Sequence, residues 1–138
     1  MTTTENSPRI VDNTRSKVKT FTAVPLNAVR WTDGFWKTRH DQLINETVPH
    51  LRKRMRDPET GHAFTNFEIK AGLKEGDFQG TFWQDEWVYK FMEAISVLFE
   101  YTRDKRLADE LDSMTEVIAK CQEKDGYIAT QIMAVKER

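Results

Sequence analysis

The sequence predicts a mainly α-helical fold, on three observations. Between Gln84 and about Thr102, apolar residues recur at helical spacing: Trp87, Val88, Phe91, Ile95, Leu98 and Phe99. A second set follows at Leu107, Leu111, Met114, Ile118 and Cys121. Only Arg103, Asp104 and Lys105 link the two runs. A stripe with a period of about 3.6 residues marks a helix that buries one face. So short a link turns the second helix back against the first, giving an antiparallel hairpin.

The remaining elements follow in chain order. Residues 1–20 hold only four hydrophobics (Met1, Ile10, Val11 and Val18) among Thr, Asn, Ser and scattered charges. They read as a flexible leader. The first seventeen residues lack the apolar core of a secretory signal, so none is expected. Phe21 to Trp31 alternates loosely and predicts a short N-terminal extended segment, which Pro25 confines to an edge or an irregular strand. At Thr32-Asp33-Gly34 a helix opens, with Asp33 as its cap and Phe35, Trp36, Leu43, Ile44, Val48, Leu51 and Met55 at helical spacing. Pro49 should kink or split this helix near Val48. Asp57-Pro58-Glu59-Thr60-Gly61 carries turn chemistry and ends it. Glycines 61, 72, 76 and 80 punctuate the next stretch, with room for a short turn of helix around Asn66–Ala71. Glu86 and Lys90 form an i,i+4 pair in the favourable order, and Asp125-Gly126 stops the last predicted helix.

Composition narrows the function classes. Aromatics make up 11% of the 138 residues, too many for a solvating tail. No run of about 18 apolar residues is present, so no membrane partner is expected. With 21 basic against 22 acidic residues, no net field selects nucleic acid, and no nucleic-acid partner is expected. One cysteine excludes an intrachain disulfide and a cysteine-rich metal centre. A reducing, cytoplasmic setting is the simpler expectation.

Candidate chemistry is sparse. His40, His50 and His62 lack metal-ligand spacing. His40 and His50 are expected on helix surfaces, whereas His62 sits in a glycine-bounded loop where ligand-contacting groups gather. Cys121 falls on an apolar stripe and reads as a small buried hydrophobe rather than a nucleophile. The basic run from His50 to Arg56 closes a helix and reads as its solvated end, where cations complement the dipole. The densest stretch is Phe78 to Phe91, in which Gln84, Asp85 and Glu86 lie among aromatics. These are the ingredients of a sugar site: rings stack on C–H faces while amides and carboxylates bond hydroxyls. The competing reading makes Asp85 a helix-capping acid and the aromatics core. Asp85 and Glu86 are adjacent, so they point about 100° apart on a helix and cannot flank one glycosidic bond.

The same stretch carries a resemblance. Phe78-x-Gly80-x-x-x-Gln84-Asp85-x-x-Val88-Tyr89-Lys90-Phe91-x-Glu93-Ala94, followed by Gln122-x-x-Asp125-Gly126-Tyr127, resembles the β-L-arabinofuranosidases of glycoside hydrolase family 127. Val29-x-Trp31-x-x-Gly34-Phe35-Trp36-x-x-Arg39 with Thr47-Val48-Pro49, and His62-Ala63-x-x-Asn66 with Ala71-Gly72, are similar to that family's opening segments. The order and spacing of these pieces over about residues 24–132 carry the match. The resemblance implies that residues 21–138 are the N-terminal part of an (α/α)6 barrel, its first helices only and therefore incomplete. It implies a retaining glycosidase of plant-glycan breakdown acting on L-arabinofuranosides, with a zinc-bound cysteine as nucleophile. Those catalytic residues belong to later sequence in the family, so no catalytic or metal-binding residue, and no cofactor, is carried onto this chain. Cys121 matches an ordinary helix position. His62, Asn66, Gln84 and Asp85 match segments near the sugar pocket and are the candidate substrate-binding residues. One departure is Trp87, where the family usually has an aspartate.

With barrel helices missing, Trp83, Trp87, Phe91 and Phe99 cannot all be buried by residues 103–122 alone. An extensive exposed apolar surface, self-association and catalytic incompleteness are therefore expected. The alternative function is a free-standing helical interaction module that uses the same aromatic face.

Overall fold

The computed structural model describes residues 8–136. It is helical throughout, without a strand among the described residues. The helices are α1 (Gly34–Gln42), α2 (Val48–Arg54), α3 (Ala63–Lys70), α4 (Asp85–Thr102), α5 (Lys105–Cys121) and α6 (Thr130–Lys136). A π-helical turn, Leu43–Thr47, joins α1 to α2.

The expected extended segment is not a strand. Pro25 supplies no ladder donor, and the chain turns instead, with the Ala28 amide donating to the Pro25 carbonyl at 3.0 Å. Part of the expected leader lies alongside it. The Leu26 amide donates to the Pro8 carbonyl at 3.1 Å, Arg9 Nε to Ala23 O at 2.9 Å and Asn13 Nδ2 to Phe21 O at 2.8 Å. Residues 1–7 of that leader lie outside the described residues.

Asp33 caps α1 as expected, its carboxylate accepting from the Gly34 amide at 2.7 Å. The break at Pro49 takes a specific form. Proline has no N–H for the Asn45 carbonyl four residues back, and its ring crowds that carbonyl. One turn widens in response, so that the Val48 amide reaches back five residues to Leu43 O. Helix α2 ends in the predicted turn, where Asp57 Oδ1 accepts from the amides of Glu59 and Thr60, each at 2.9 Å. Gly61 is required there: a Cβ would sit 1.5 Å from the Arg54 carbonyl oxygen. Helix α3 is longer than the sequence suggests, because Ala63, Phe64 and Phe67 give it a fully apolar face.

Helices α4 and α5 form the expected hairpin. Arg103 takes a left-handed conformation (φ 60°), and Asp104 caps α5 by accepting from the Arg106 amide at 2.9 Å. Phe64, Phe67, Val88, Phe91, Ile95, Leu98, Leu107, Met114 and Cys121 form the core, together with Val48 of α2 and Met55 just past its end. Trp87 is not in it. It stands one position off the stripe and is about half exposed, beside Leu51, Met55 and Phe91. Cys121 packs as the small hydrophobe its spacing predicts, its Sγ within reach of two acceptors for its one proton, the carbonyls of Phe67 (3.0 Å) and Val117 (3.2 Å).

Two surface expectations are corrected. His40 is buried, because the segment before α1 folds over it and packs it between the rings of Trp31 and Tyr101. The basic run is not simply a solvated helix end. Arg52 and Arg56 both reach Glu110 of α5, at 2.8 and 3.0 Å, and the Arg56 guanidinium lies 4.2 Å over the Phe64 ring. Glu110 is only 7% exposed, and a carboxylate so buried persists only when paired. His50, by contrast, is exposed as expected.

Two outcomes follow. Arg56→Ala should cost about 2–3 kcal/mol, since it strips a buried carboxylate of its better-shielded partner and uncovers Phe64. Arg52→Ala, more than half exposed, should cost about 1 kcal/mol or less. Urea unfolding reads both, and equal losses would reject this account of the α2–α5 contact. Burial, reinforced by the nearby Asp85 charge, pushes the Cys121 thiol from 9.0 up to about 11. The unfolded chain therefore loses this proton first, and stability should decline as pH rises from about 9 to about 11. Cys121→Ala should flatten that part of the pH profile of the urea midpoint, and an unchanged slope would count against it.

Candidate functional site

The predicted site residues cluster around the loop from Ala71 to Gln84 that leads from α3 into α4. Asn66, on α3 and 3% exposed, clamps this loop by one residue. Its Nδ2 donates to the Gln79 carbonyl at 2.9 Å, and its Oδ1 accepts from the Gln79 amide at 3.1 Å. Gln84 holds the other end of the loop. Its Oε1 accepts from the Thr81 hydroxyl at 3.1 Å and the Thr81 amide at 3.3 Å. The chain passes so close that a Cβ on Gly80 would lie 2.8 Å from Gln84 Oε1, and Gly80 has φ +93°, where a side chain is strained.

Asp85 opens α4 but caps a different helix. Its Oδ2 accepts from the Thr130 amide at 2.8 Å and its Oδ1 from the Thr130 hydroxyl at 2.6 Å. Thr130 is the first residue of α6, so the carboxylate fixes the start of α6 against the start of α4. Glu86 points elsewhere and pairs with Lys90 at 3.1 Å, as the sequence predicts. One turn along α4 from Asp85, burial pushes the Tyr89 phenol up to about 12, with the Asp85 charge adding to it. The Tyr89 ring stands edge-on to Phe67, with centroids 5.9 Å apart.

A cleft of about 260 Å³ opens between the loop, α3 and α6, lined by Asn66, Lys70, Asp77, Phe78 and Thr130 among others. Asn66 and Asp85 thus meet at one place, the second through Thr130. Gln84 braces the loop that forms a wall. His62 is half-buried at the entrance to α3, one turn before Asn66, whose amide donates to the His62 carbonyl at 2.8 Å. It is not part of the cleft lining. Residue types alone did not reveal Thr130, Lys70, Asp77 or Tyr89. The signal for Thr130 was weakest, because its partner lies 45 residues earlier.

The arrangement positions hydrogen-bonding groups on a wall and keeps part of the Asp85 carboxylate's accepting capacity. The Cys121 thiol is buried, which raises its pKa and disfavours the thiolate that a nucleophile needs. Among the described residues no three His, Cys, Asp or Glu side chains converge to hold a metal ion. The thiol, its one proton facing the carbonyls of Phe67 and Val117, does not fit a zinc ligand as packed here. Trp87 lies on the side of α4 that faces Leu51 and Met55, outside the cleft lining, so the departure at this position leaves the cleft walls unaltered.

Residues 28–138 match the profile described as β-L-arabinofuranosidase, GH127 catalytic domain. A curated relative, the non-reducing end β-L-arabinofuranosidase of Bifidobacterium longum subsp. longum, is 30% identical over 115 residues, covering 72% of this chain and 18% of the relative. The crystal structure of a GH127 β-L-arabinofuranosidase from Geobacillus stearothermophilus T6 superposes with a TM-score of 0.73 at 34% identity, over 78% of this chain and 18% of that one. The chain therefore spans under a fifth of the length of either. It belongs to the GH127 β-L-arabinofuranosidase family and corresponds to the N-terminal helical part of that family's catalytic domain.

Proposed function

We propose that this chain forms the opening helices of a glycoside hydrolase catalytic domain that releases L-arabinofuranose from the non-reducing end of a plant-type glycan. In this reading, Asn66, Gln84 and Asp85 shape one wall of the sugar pocket, and His62 stands at its margin. The leader ends near residue 20, and the catalytic portion runs from about residue 21 onward. The observation that carries the reading is the cleft at Asn66 and Thr130, built from the motif residues by which the chain resembles the family.

The chain's own residues bind and orient; they do not break the bond. The family's zinc and cysteine would supply the nucleophile. Here the one thiol is packed against backbone carbonyls, which supports a source elsewhere for that chemistry. The role left to these residues is to hold the pocket wall rigid, so that a sugar hydroxyl meets preset acceptors. Arginines 52 and 56 are engaged by Glu110, which supports the absence of a nucleic-acid partner. Among the described residues no helix is long and apolar enough to cross a membrane. A lone cysteine kept as a thiol suits a cytoplasmic setting.

The uncovered apolar side chains argue that other helices wall this unit in. Trp83 and Trp87 are each 47% exposed, Trp36 64% and Phe82 74%. So much exposed aromatic surface makes the isolated chain prone to associate. Sedimentation of the 138-residue chain should show mass rising with concentration, whereas a strict monomer at all concentrations would contradict this. The same chain should leave a chromogenic β-L-arabinofuranoside uncleaved with or without added zinc. Turnover by it alone would overturn the division of labour proposed here.

A further inference from the structure

His40 is used by none of the arrangements above, yet its burial is unusual. It is 8% exposed, and its Nε2 is buried without a hydrogen-bond partner. An unpaired buried polar atom carries a cost and calls for an explanation. The imidazole lies at the floor of a groove lined by Ile10, Leu26, Trp31, Leu43, Leu98 and Tyr101. Its ring centre is 4.3 Å from that of Tyr101, edge to face, and 5.4 Å from that of Trp31. The Tyr101 oxygen in turn accepts from the Trp31 amide at 2.7 Å. His40 therefore sits at the joint where the N-terminal segment and α1 rest on α4.

The surrounding charges pull both ways on a second proton, Asp41 favouring it while Lys37 and Arg30 oppose it, so burial decides. Arg30, from the segment, places its guanidinium 4.5 Å from the Tyr101 ring centre. On α1 itself lie Lys37, Arg39 and Asp41. Asp41 is engaged by Lys37, and Arg39 donates to Gln42. On α4, Glu100 is occupied by Asn27 and Arg103. From the leader side, Arg9 donates to the Ala23 carbonyl.

We propose that His40 is a pH-sensitive latch: its neutral imidazole seats Trp31 and α1 on Tyr101, and protonation releases them from α4. The released unit is the N-terminal segment with α1, while the α3–α4–α5 core stays folded, because, of its buried members, Leu98 alone lines this joint. Desolvation already holds the imidazole below its ordinary 6.5. The sign follows from that. The latch is fully closed above about pH 6.5, and its stability is lost as pH falls through the lower folded value.

Hydrogen exchange of the whole chain, mapped by peptide and corrected for intrinsic pH dependence, tests this. Between about pH 7.5 and about pH 5, exchange over residues 26–42 should rise about tenfold while residues 85–121 stay protected. In His40→Phe, which keeps a ring at the joint without the proton, that rise should vanish. The same acid rise in His40→Phe, or no rise in the unsubstituted chain, would overturn the proposal. Should His40→Phe not fold, NMR titration of the unsubstituted chain decides. The His40 ring and the Trp31 indole should shift together with one midpoint below 6.5, and separate midpoints would overturn the latch.

Discussion

Phe64 and Phe67 fill the space where α3, α4 and α5 meet, and the rest of the unit is arranged around them. Both rings are excluded from water, at 1% and 0% exposure, with centroids 6.4 Å apart. Burying two such side chains contributes roughly 2–3 kcal/mol each, the largest share of any pair on so short a helix. Their neighbours depend on that placement. Arg56 lies over Phe64 on its way to Glu110, Tyr89 meets Phe67 edge-on, and the Cys121 thiol donates to the Phe67 carbonyl. Helix α3 thereby ties the hairpin to α2 on one side and to the cleft on the other.

The site residues work chiefly through backbone. Asn66 and Gln84 each spend their amide groups on one residue of the loop between them, at Gln79 and Thr81. Asp85 spends its carboxylate on Thr130. These side chains define where the loop and α6 stand before any sugar arrives. A wall assembled from such bonds costs little reorganisation when a ligand binds, which is the usual value of preorganisation. The family motif around Gln84 and Asp85 is therefore intelligible as loop architecture as well as recognition.

Much of the helical plan was legible in the sequence, because amphipathic stripes and caps are local signals. The α4–α5 hairpin, the Asp33 cap, the Asp57 turn and the break at Pro49 all follow from residues within a few positions of one another. Family membership was legible through motif order. The failures were non-local. Nothing near His40 announces that Trp31 and Tyr101 will enclose it, and nothing near Arg52 points to Glu110. Asp85, a candidate for the sugar with a cap as the competing reading, does cap a helix, but one that begins 45 residues later. Periodicity also overcounted the stripe. Trp87 fits the spacing, yet Val88 beside it takes the inward position and leaves the indole on the flank. The segment from Phe21 to Trp31 forms no strand because a strand needs a partner, and the described residues offer none.

The widened turn at Leu43–Thr47 has a consequence for how this part of the family tolerates change in length. A π turn is an α-helix holding one surplus residue, and one residue is worth about 100° of rotation. Excising a single position there would remove the surplus and leave the side chains beyond it at nearly their present azimuth, because the wide turn already absorbs that rotation. The cationic edge of α2 would still meet α5, and the same face would confront the core. This stretch acts as a phase adjuster, so a one-residue gap between relatives there signals a lost bulge rather than a rotated helix.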